Sequence, residues 1–262
     1  MRILGITDNF EKTITDKKIE RWRYPRFFAH TDGDSAVIEG EDAKHIGTVL
    51  RMKAGDLALL CDGEGEDCLC RITAADKDRI EFAVIDRQRN EAEPSVFVTL
   101  YQCMPKGDKM DFIVQKAVEL GVGRIVPVLS KRCVSRPDEK GFVKKIQRWQ
   151  KIAEEAAKQC GRGKIPEIGR QREFKDAVKE YPQGKTGILF YECGGVQLSE
   201  IIDKSADEID VFVGCEGGFE AEEAQFAQEN GIVAATLGKR ILRCETAPLA
   251  ALAVLMNLTG NM

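Results

Sequence analysis

The rhythm of apolar and polar positions changes near residue 90. Before it, apolar residues come in short runs, Ala36 to Ile38, Leu57 to Cys61, Cys68 to Ile72 and Ile80 to Ile85, separated by turn sequence such as Asp62-Gly63-Glu64-Gly65. Runs of this length bounded by Gly and Asp predict strands, and several in succession predict a small β-barrel. The polar, proline-bearing stretch Arg89-Asn90-Glu91-Ala92-Glu93-Pro94 marks a boundary, so the barrel is placed at residues 24–92 and a second domain at 93–262. Beyond the boundary, strand-like and helix-like segments alternate: Val96 to Tyr101, a helix from Asp108 to Leu120, Ile125 to Leu129, a helix from about Phe142 to Cys160, and Gly187 to Tyr191. That order predicts an α/β domain on a parallel sheet. Connection rules alone favour an ordinary doubly wound topology for it.

Helical spacing assigns most residues of these segments to packing. Met110, Ile113, Val114 and Ala117 share one face of the first helix, which Gly121 stops. Phe142, Ile146, Trp149, Ala153 and Ala156 do the same in the second, so Trp149 reads as core rather than as a platform for a base. The last helix, Pro248 to Leu258, is apolar almost all round through Leu249, Ala250, Ala251, Leu252, Val254, Leu255 and Met256, and needs cover on most sides.

Candidate chemistry sits at the ends of two further strands, Val211 to Val213 and Ile232 to Leu237. Each runs into a glycine-bearing turn, Gly214-Cys215-Glu216-Gly217-Gly218 and Gly238-Lys239-Arg240, with helical sequence after it. Ligands of open α/β sheets collect outside such strand ends. A glycine turn opening a helix ordinarily suits phosphate, but Glu216 would repel an anion and suits ribose hydroxyls or a positively charged ligand. No Gly-Lys-Ser/Thr ending and no Gly-x-Gly-x-x-Gly is present, which disfavours nucleoside triphosphates and dinucleotide-dependent oxidoreductases. A tight turn with no ligand is the plain alternative. The second loop, Leu237 to Ala247, argues against it by crowding charged residues around an apolar pair.

Composition changes this picture in three places. The apolar runs are much shorter than a membrane span and the N-terminus lacks the order of a signal peptide, so a cytoplasmic protein is expected. Nine cysteines form no C-x-x-C pair and have no nearby histidines; they read as reduced structural thiols, with no metal expected. The formal charge of −4 conceals an asymmetry: residues 131–175 carry fourteen Lys or Arg against six Asp or Glu, and 176–262 carry six against fourteen. A basic segment suits a polyanion, which makes Arg23, Arg26, Lys131, Arg132, Arg136, Arg162 and Lys164 candidate RNA contacts. A solvated helix surface is the bland reading of the same charges.

The segments GCEGGFEAEE and LGKRILRCETAPLAAL together resemble the signature of the SPOUT-class RNA methyltransferases, and within it the ribosomal RNA small subunit methyltransferase E family. The likeness extends through Tyr24-Pro25-Arg26-Phe27-Phe28, His45 to Met52, Lys106 to Met110, Glu119-Leu120-Gly121 and Arg148 to Ala156, covering roughly residues 24–260. This chain departs from the family pattern at Cys215 and Lys239, where proline is common, and at Cys244, where threonine is common. About 23 residues precede Pro25 where relatives often begin with Met-x-Pro-Arg, so residues 1–23 read as an extension.

The resemblance implies a PUA-like RNA-binding barrel followed by a deep trefoil-knot methyltransferase domain, and a homodimer with the cofactor pocket beside the subunit interface. It implies S-adenosylmethionine as cofactor and N3 of a uridine in 16S rRNA, conventionally numbered 1498, as acceptor, on the 30S particle. The family's three cofactor loops match Leu189, Phe190, Tyr191 and Glu192; Gly214, Glu216, Gly217 and Gly218; and Leu237, Gly238, Ile241 and Leu242 with Thr246 and Ala247. Place in the motifs makes Arg243 and Arg26 the candidates for stabilising a uracil anion, with Glu245 or Glu216 orienting groups. An Arg243–Glu245 ion pair that merely holds the loop is the structural alternative. A knotted methyltransferase acting on tRNA or a different rRNA nucleotide, and an RNA-binding assembly factor without turnover, are the competing functions; YPRFF and HIGTVLRM weigh against the first and the intact loops against the second.

Overall fold

The computed structural model describes residues 23–181 and 185–262, in two units: residues up to 93 together with 161–164, and 94–160 together with 165–262. The expected extension, residues 1–23, lies outside the described residues except for Arg23.

In the first unit, β1 (Arg26–Phe28), β2 (Thr31–Asp32), β3 (Ser35–Glu39), β4 (Leu57–Cys61), β5 (Glu66–Ala75) and β6 (Arg79–Arg89) form a curled sheet in the order β1-β4-β5-β6-β3-β2. All pairs are antiparallel except β1 with β4. The period-2 pattern puts Ala36, Ile38, Ala58, Leu60, Cys68, Cys70, Ile72, Ile80 and Phe82 on one buried face. Short helix α1 (Glu41–Lys44) and a π-helical turn (His45–Val49) cover it through Ala43 and Ile46.

A buried polar network completes this unit. The Arg26 guanidinium donates to Asp67 at 2.6 Å and to the Arg162 carbonyl at 3.0 Å, and the Asn90 amide donates to both Asp67 oxygens at 3.1 and 2.9 Å. Arg162 in turn holds Glu93 at 2.9 Å. Gly163 lies where a Cβ would meet Asn90 Cβ at 2.7 Å, so position 163 admits no side chain without a shift.

The second unit is a parallel sheet. Its strands are β7 (Phe97–Cys103), β8 (Arg124–Leu129), β9 (Glu167–Ile168), β10 (Arg172–Glu173), β11 (Thr186–Phe190), β12 (Val196–Gln197), β13 (Glu208–Val213) and β14 (Val233–Thr236). The order is β10-β8-β7-β13-β11-β14-β12, with β9 beside β8. It is not the run of neighbours that short connections predict: β13 lies between β7 and β11, and β11 between β13 and β14. Helices α2 (Lys109–Glu119), α3 (Glu139–Cys160), α4 (Phe174–Lys179), α5 (Leu198–Ile201), α6 (Ala221–Glu229) and α7 (Ala247–Leu258) connect the strands. Helix α2 buries the predicted stripe and ends before Gly121, whose φ of 91° and contact with Pro94 exclude a side chain. Trp149 is core, as its spacing predicts, with its indole N–H donating to Asp111 at 2.9 Å. Helix α7 buries Ala251, Leu252, Leu255 and Met256 but leaves Val254 exposed. Among the described residues no helix is long and apolar enough to cross a membrane.

Candidate active site

The C-terminal ends of β11, β13 and β14 open into a cavity of about 610 Å³. Its walls are Phe190, Tyr191 and Glu192 after β11; Val213 to Gly218 after β13; Ala235 to Cys244 after β14, with Ala247; and Lys109 from α2. The three loops singled out in the sequence therefore meet at one place, where the parallel sheet directs every strand end to the same side. Phe190, Tyr191, Glu192, Gly214, Glu216, Gly217, Gly218, Leu237, Gly238, Ile241, Leu242 and Ala247 line it. Leu189 does not, because its side chain is fully buried in the sheet interior, and Thr246 stands exposed at the start of α7, off the wall.

The glycine turn after β13 closes on itself, with Gly218 N–H donating to the Cys215 carbonyl at 2.9 Å. A Cβ on Gly214 would meet the Gly218 backbone at 2.9 Å, and one on Gly218 would meet the Glu192 carboxylate at 2.3 Å. Cys215 is buried, and a thiol hydrogen bond with Cys133 together with burial pushes it well above the ordinary thiol range. Burial likewise raises Cys244 to about 12. Neither is a nucleophile at neutral pH.

Lys109 is the residue the sequence reading missed. Its ammonium lies 2.9 Å from Glu216 and 3.2 Å from Glu245, so one cation joins the two loops after β13 and β14. The Lys106 amide adds a hydrogen bond to Glu216 at 3.0 Å. A signal was present: Lys109 opens α2, where the helix dipole disfavours a cation unless carboxylates face it. Against the effect of burial, Lys109 and the Lys106 amide hold Glu216 below the usual carboxylate range. Glu245 is also lowered, first by the Cys244 thiol and then by Lys109. Glu245 is thus the partner of Lys109 and not of Arg243, which lines the wall with no ion pair among the described residues.

Lys109→Met is expected to weaken cofactor binding by roughly tenfold, the scale of one lost charge-assisted hydrogen bond, with Lys109→Arg in between. Because both carboxylate pKa values are lowered on folding, the latch is intact above the ordinary carboxylate range and is lost as pH falls through the lowered values. Calorimetric titration of each variant from about pH 3 to 7, with folding checked at each pH, tests both points; a flat affinity across the variants would remove the latch.

Part of the charge asymmetry is answered inside this unit. Lys131 pairs with Glu222 at 2.5 Å, Arg132 grips Glu220 at 2.9 and 3.1 Å and the Gly217 carbonyl at 2.6 Å, and Arg172 meets Glu180 at 3.1 Å. Arg136 donates to the Ser130 and Cys133 carbonyls. Arg132 thereby braces the glycine turn, and its 3.7 Å approach to Glu192 links the loops after β11 and β13. Exposed pairs of this kind add little stability; they fix geometry. The cations named as candidate RNA contacts differ in exposure and partners. Arg26, named for catalysis and for RNA, is 7% exposed and bound to Asp67, and Arg162 is 5% exposed and bound to Glu93, since a buried cation needs a partner. Arg23 and Lys164 are exposed in the first unit. Among the described residues no cluster of His, Cys, Asp and Glu has the makings of a metal site.

Comparison with known proteins agrees with this geometry. The profile of the RNA methyltransferase domain family matches residues 92–256, and that of the RNA methyltransferase PUA domain matches 38–85. The chain is 34% identical over 227 residues to the ribosomal RNA small subunit methyltransferase E of Bacillus subtilis, covering 83% of this chain and 88% of that one. It is 33% identical over 195 residues to the Aquifex aeolicus enzyme of the same name, covering 74% and 82%. The crystal structure of ribosomal RNA small subunit methyltransferase E from Neisseria gonorrhoeae bound to S-adenosyl methionine superposes with a TM-score of 0.82 at 34% identity, over 90% of this chain and 98% of that one. A profile spanning most of the chain, relatives above 30% identity and a shared two-domain fold place this protein in the ribosomal RNA small subunit methyltransferase E family of SPOUT-class RNA methyltransferases.

Proposed function

We propose that this chain transfers a methyl group from S-adenosylmethionine to N3 of the uridine conventionally numbered 1498 in 16S rRNA, acting on the 30S particle in the cytoplasm as a homodimer. The observation that carries the reading is the convergence of three loops, in a member of this family, on one cavity whose volume suits a nucleoside-sized ligand. The cofactor supplies an electrophilic methyl group on a sulfonium; the protein supplies alignment, the main requirement of a direct displacement.

The residues fit that cofactor. Gly214 and Gly218 form a cradle that a single Cβ would fill, and Glu192 and Glu216 put carboxylates on the wall, suited to hydroxyls and to positive charge. Both carboxylates face cations, Arg132 and Lys109, and Glu245 shares Lys109. None is a free base for the uracil N3 proton. Water accepts that proton, and the unpaired Arg243 guanidinium stabilises the anion left on the ring. The half-open apolar face of α7 supports burial by a second copy.

The test is transfer of label from S-adenosylmethionine to 30S subunits lacking N3-methyluridine, followed by nuclease digestion and identification of the base. Label in N3-methyluridine at the single decoding-region site is expected. Cofactor binding with label elsewhere overturns the target, and no transfer at all overturns the enzymatic reading in favour of an assembly factor.

A further inference from the structure

The lip of the cavity combines unpaired positive charge with an exposed apolar side chain. Lys239, Arg240, Ile241, Leu242 and Arg243 are consecutive and all line the opening. The three cations make no ion pair among the described residues, in contrast to Lys109 on the same wall, and residues 238–244 contain no acid. The nearest carboxylates in sequence and across the wall, Glu245 and Glu216, both face Lys109. Between the cations stands Ile241, 86% exposed, the most exposed of the large apolar residues among those described. Fully exposing such a side chain forgoes roughly 1.5–3 kcal/mol of burial, and its place on a functional opening points to an apolar occupant.

We propose that this lip is the grip for the RNA strand: Lys239 and Arg240 hold phosphates on either side of the acceptor nucleotide, and Ile241 inserts beside the target base and keeps it out of the stack. The inference rests on the methyltransferase reading and assigns the acceptor side of that site. The physical logic is that uracil N3 lies on the pairing edge and is out of reach in a helix, so the nucleotide must be turned out. An apolar wedge stabilises the gap, and flanking cations set the register of the backbone. The polyanion meets positive charge that no protein carboxylate has neutralised, which is the reason to place the strand here and not along Lys131 or Arg132.

The test compares Lys239→Gln/Arg240→Gln and Ile241→Ser with the wild type. The double variant is expected to lower the slope of log affinity for 30S subunits against log salt by about 2, one for each lost phosphate contact. Ile241→Ser is expected to slow single-turnover transfer at saturating S-adenosylmethionine about tenfold or more, with Ile241→Leu restoring most of the rate. Cofactor affinity falling tenfold in Ile241→Ser makes Ile241 a cofactor contact and overturns the wedge. A change of oligomeric state in sedimentation makes the lip a contact between copies and overturns it too. An unchanged salt slope removes the phosphate grip. If the wild type transfers no methyl but the double variant still flattens the slope, the grip stands and the transfer reading falls.

Discussion

Gly218→Ala is expected to raise the dissociation constant for S-adenosylmethionine by at least about tenfold while leaving the second unit folded. Gly218 has a φ of 66°, a conformation that costs an L-residue roughly 1–2 kcal/mol. The new Cβ would also stand 2.3 Å from a Glu192 oxygen, so the carboxylate or the turn must move, and both line the cavity. A factor of ten corresponds to about 1.4 kcal/mol, the scale of the displacement that the Glu192 contact forces on the cavity wall. Gly231→Ala is the control: its φ is 86°, it follows α6, and nothing lies within 4 Å of the added carbon. Gly218→Ala should lose at least as much stability as Gly231→Ala, and it alone should lose cofactor. Calorimetry with thermal unfolding separates these; equal affinities would mean that the turn does not shape the pocket.

Asp67→Ala is expected to destabilise the first unit by about 3–5 kcal/mol, a large share of the roughly 5–15 kcal/mol that holds a domain together. Asp67 is 0% exposed and takes the charge of Arg26, a cation that remains buried when the carboxylate is removed. Asn90 loses its two bonds to Asp67 at the same time. Arg26→Met with Asp67→Leu removes both charges and is expected to recover most of the stability, since an apolar pair of similar size replaces a buried ion pair at little cost. Denaturant unfolding of the three variants checks the order. Cofactor affinity should persist in all, because the cavity is lined by residues of the second unit alone. A double variant no more stable than Asp67→Ala would show that the two charges are not coupled. A recovered fold with a lost methyl-transfer rate would return Arg26 to the reaction.

The parts of this protein that local order determines were legible in the chain. Alternation along β3 and β5, the stripe of α2 and its stop at Gly121 arise from contacts a few residues apart. Helix α3 starts at Glu139, three residues before the predicted Phe142, because an exposed first turn leaves no apolar mark. The glycines flanking Glu216 announced the cradle because only a missing side chain permits that backbone approach. The small elements between Glu167 and Lys179 were not read, two-residue strands and a six-residue helix being too short for any period to show.

Charge partners were decided by the tertiary structure. Lys109 meets Glu216 from 107 residues away, Arg132 meets Glu220 from 88, and Arg26 meets Asp67 from 41. A cation's role depends on whether a carboxylate arrives beside it, and that follows from the order in which strands lie across each sheet, β1-β4-β5 in the first unit and β7-β13-β11-β14 in the second, which sequence spacing does not encode. Residue type thus set what each side chain could do, and the packing of distant segments selected which cations became latches and braces and which were left free at the cavity's lip.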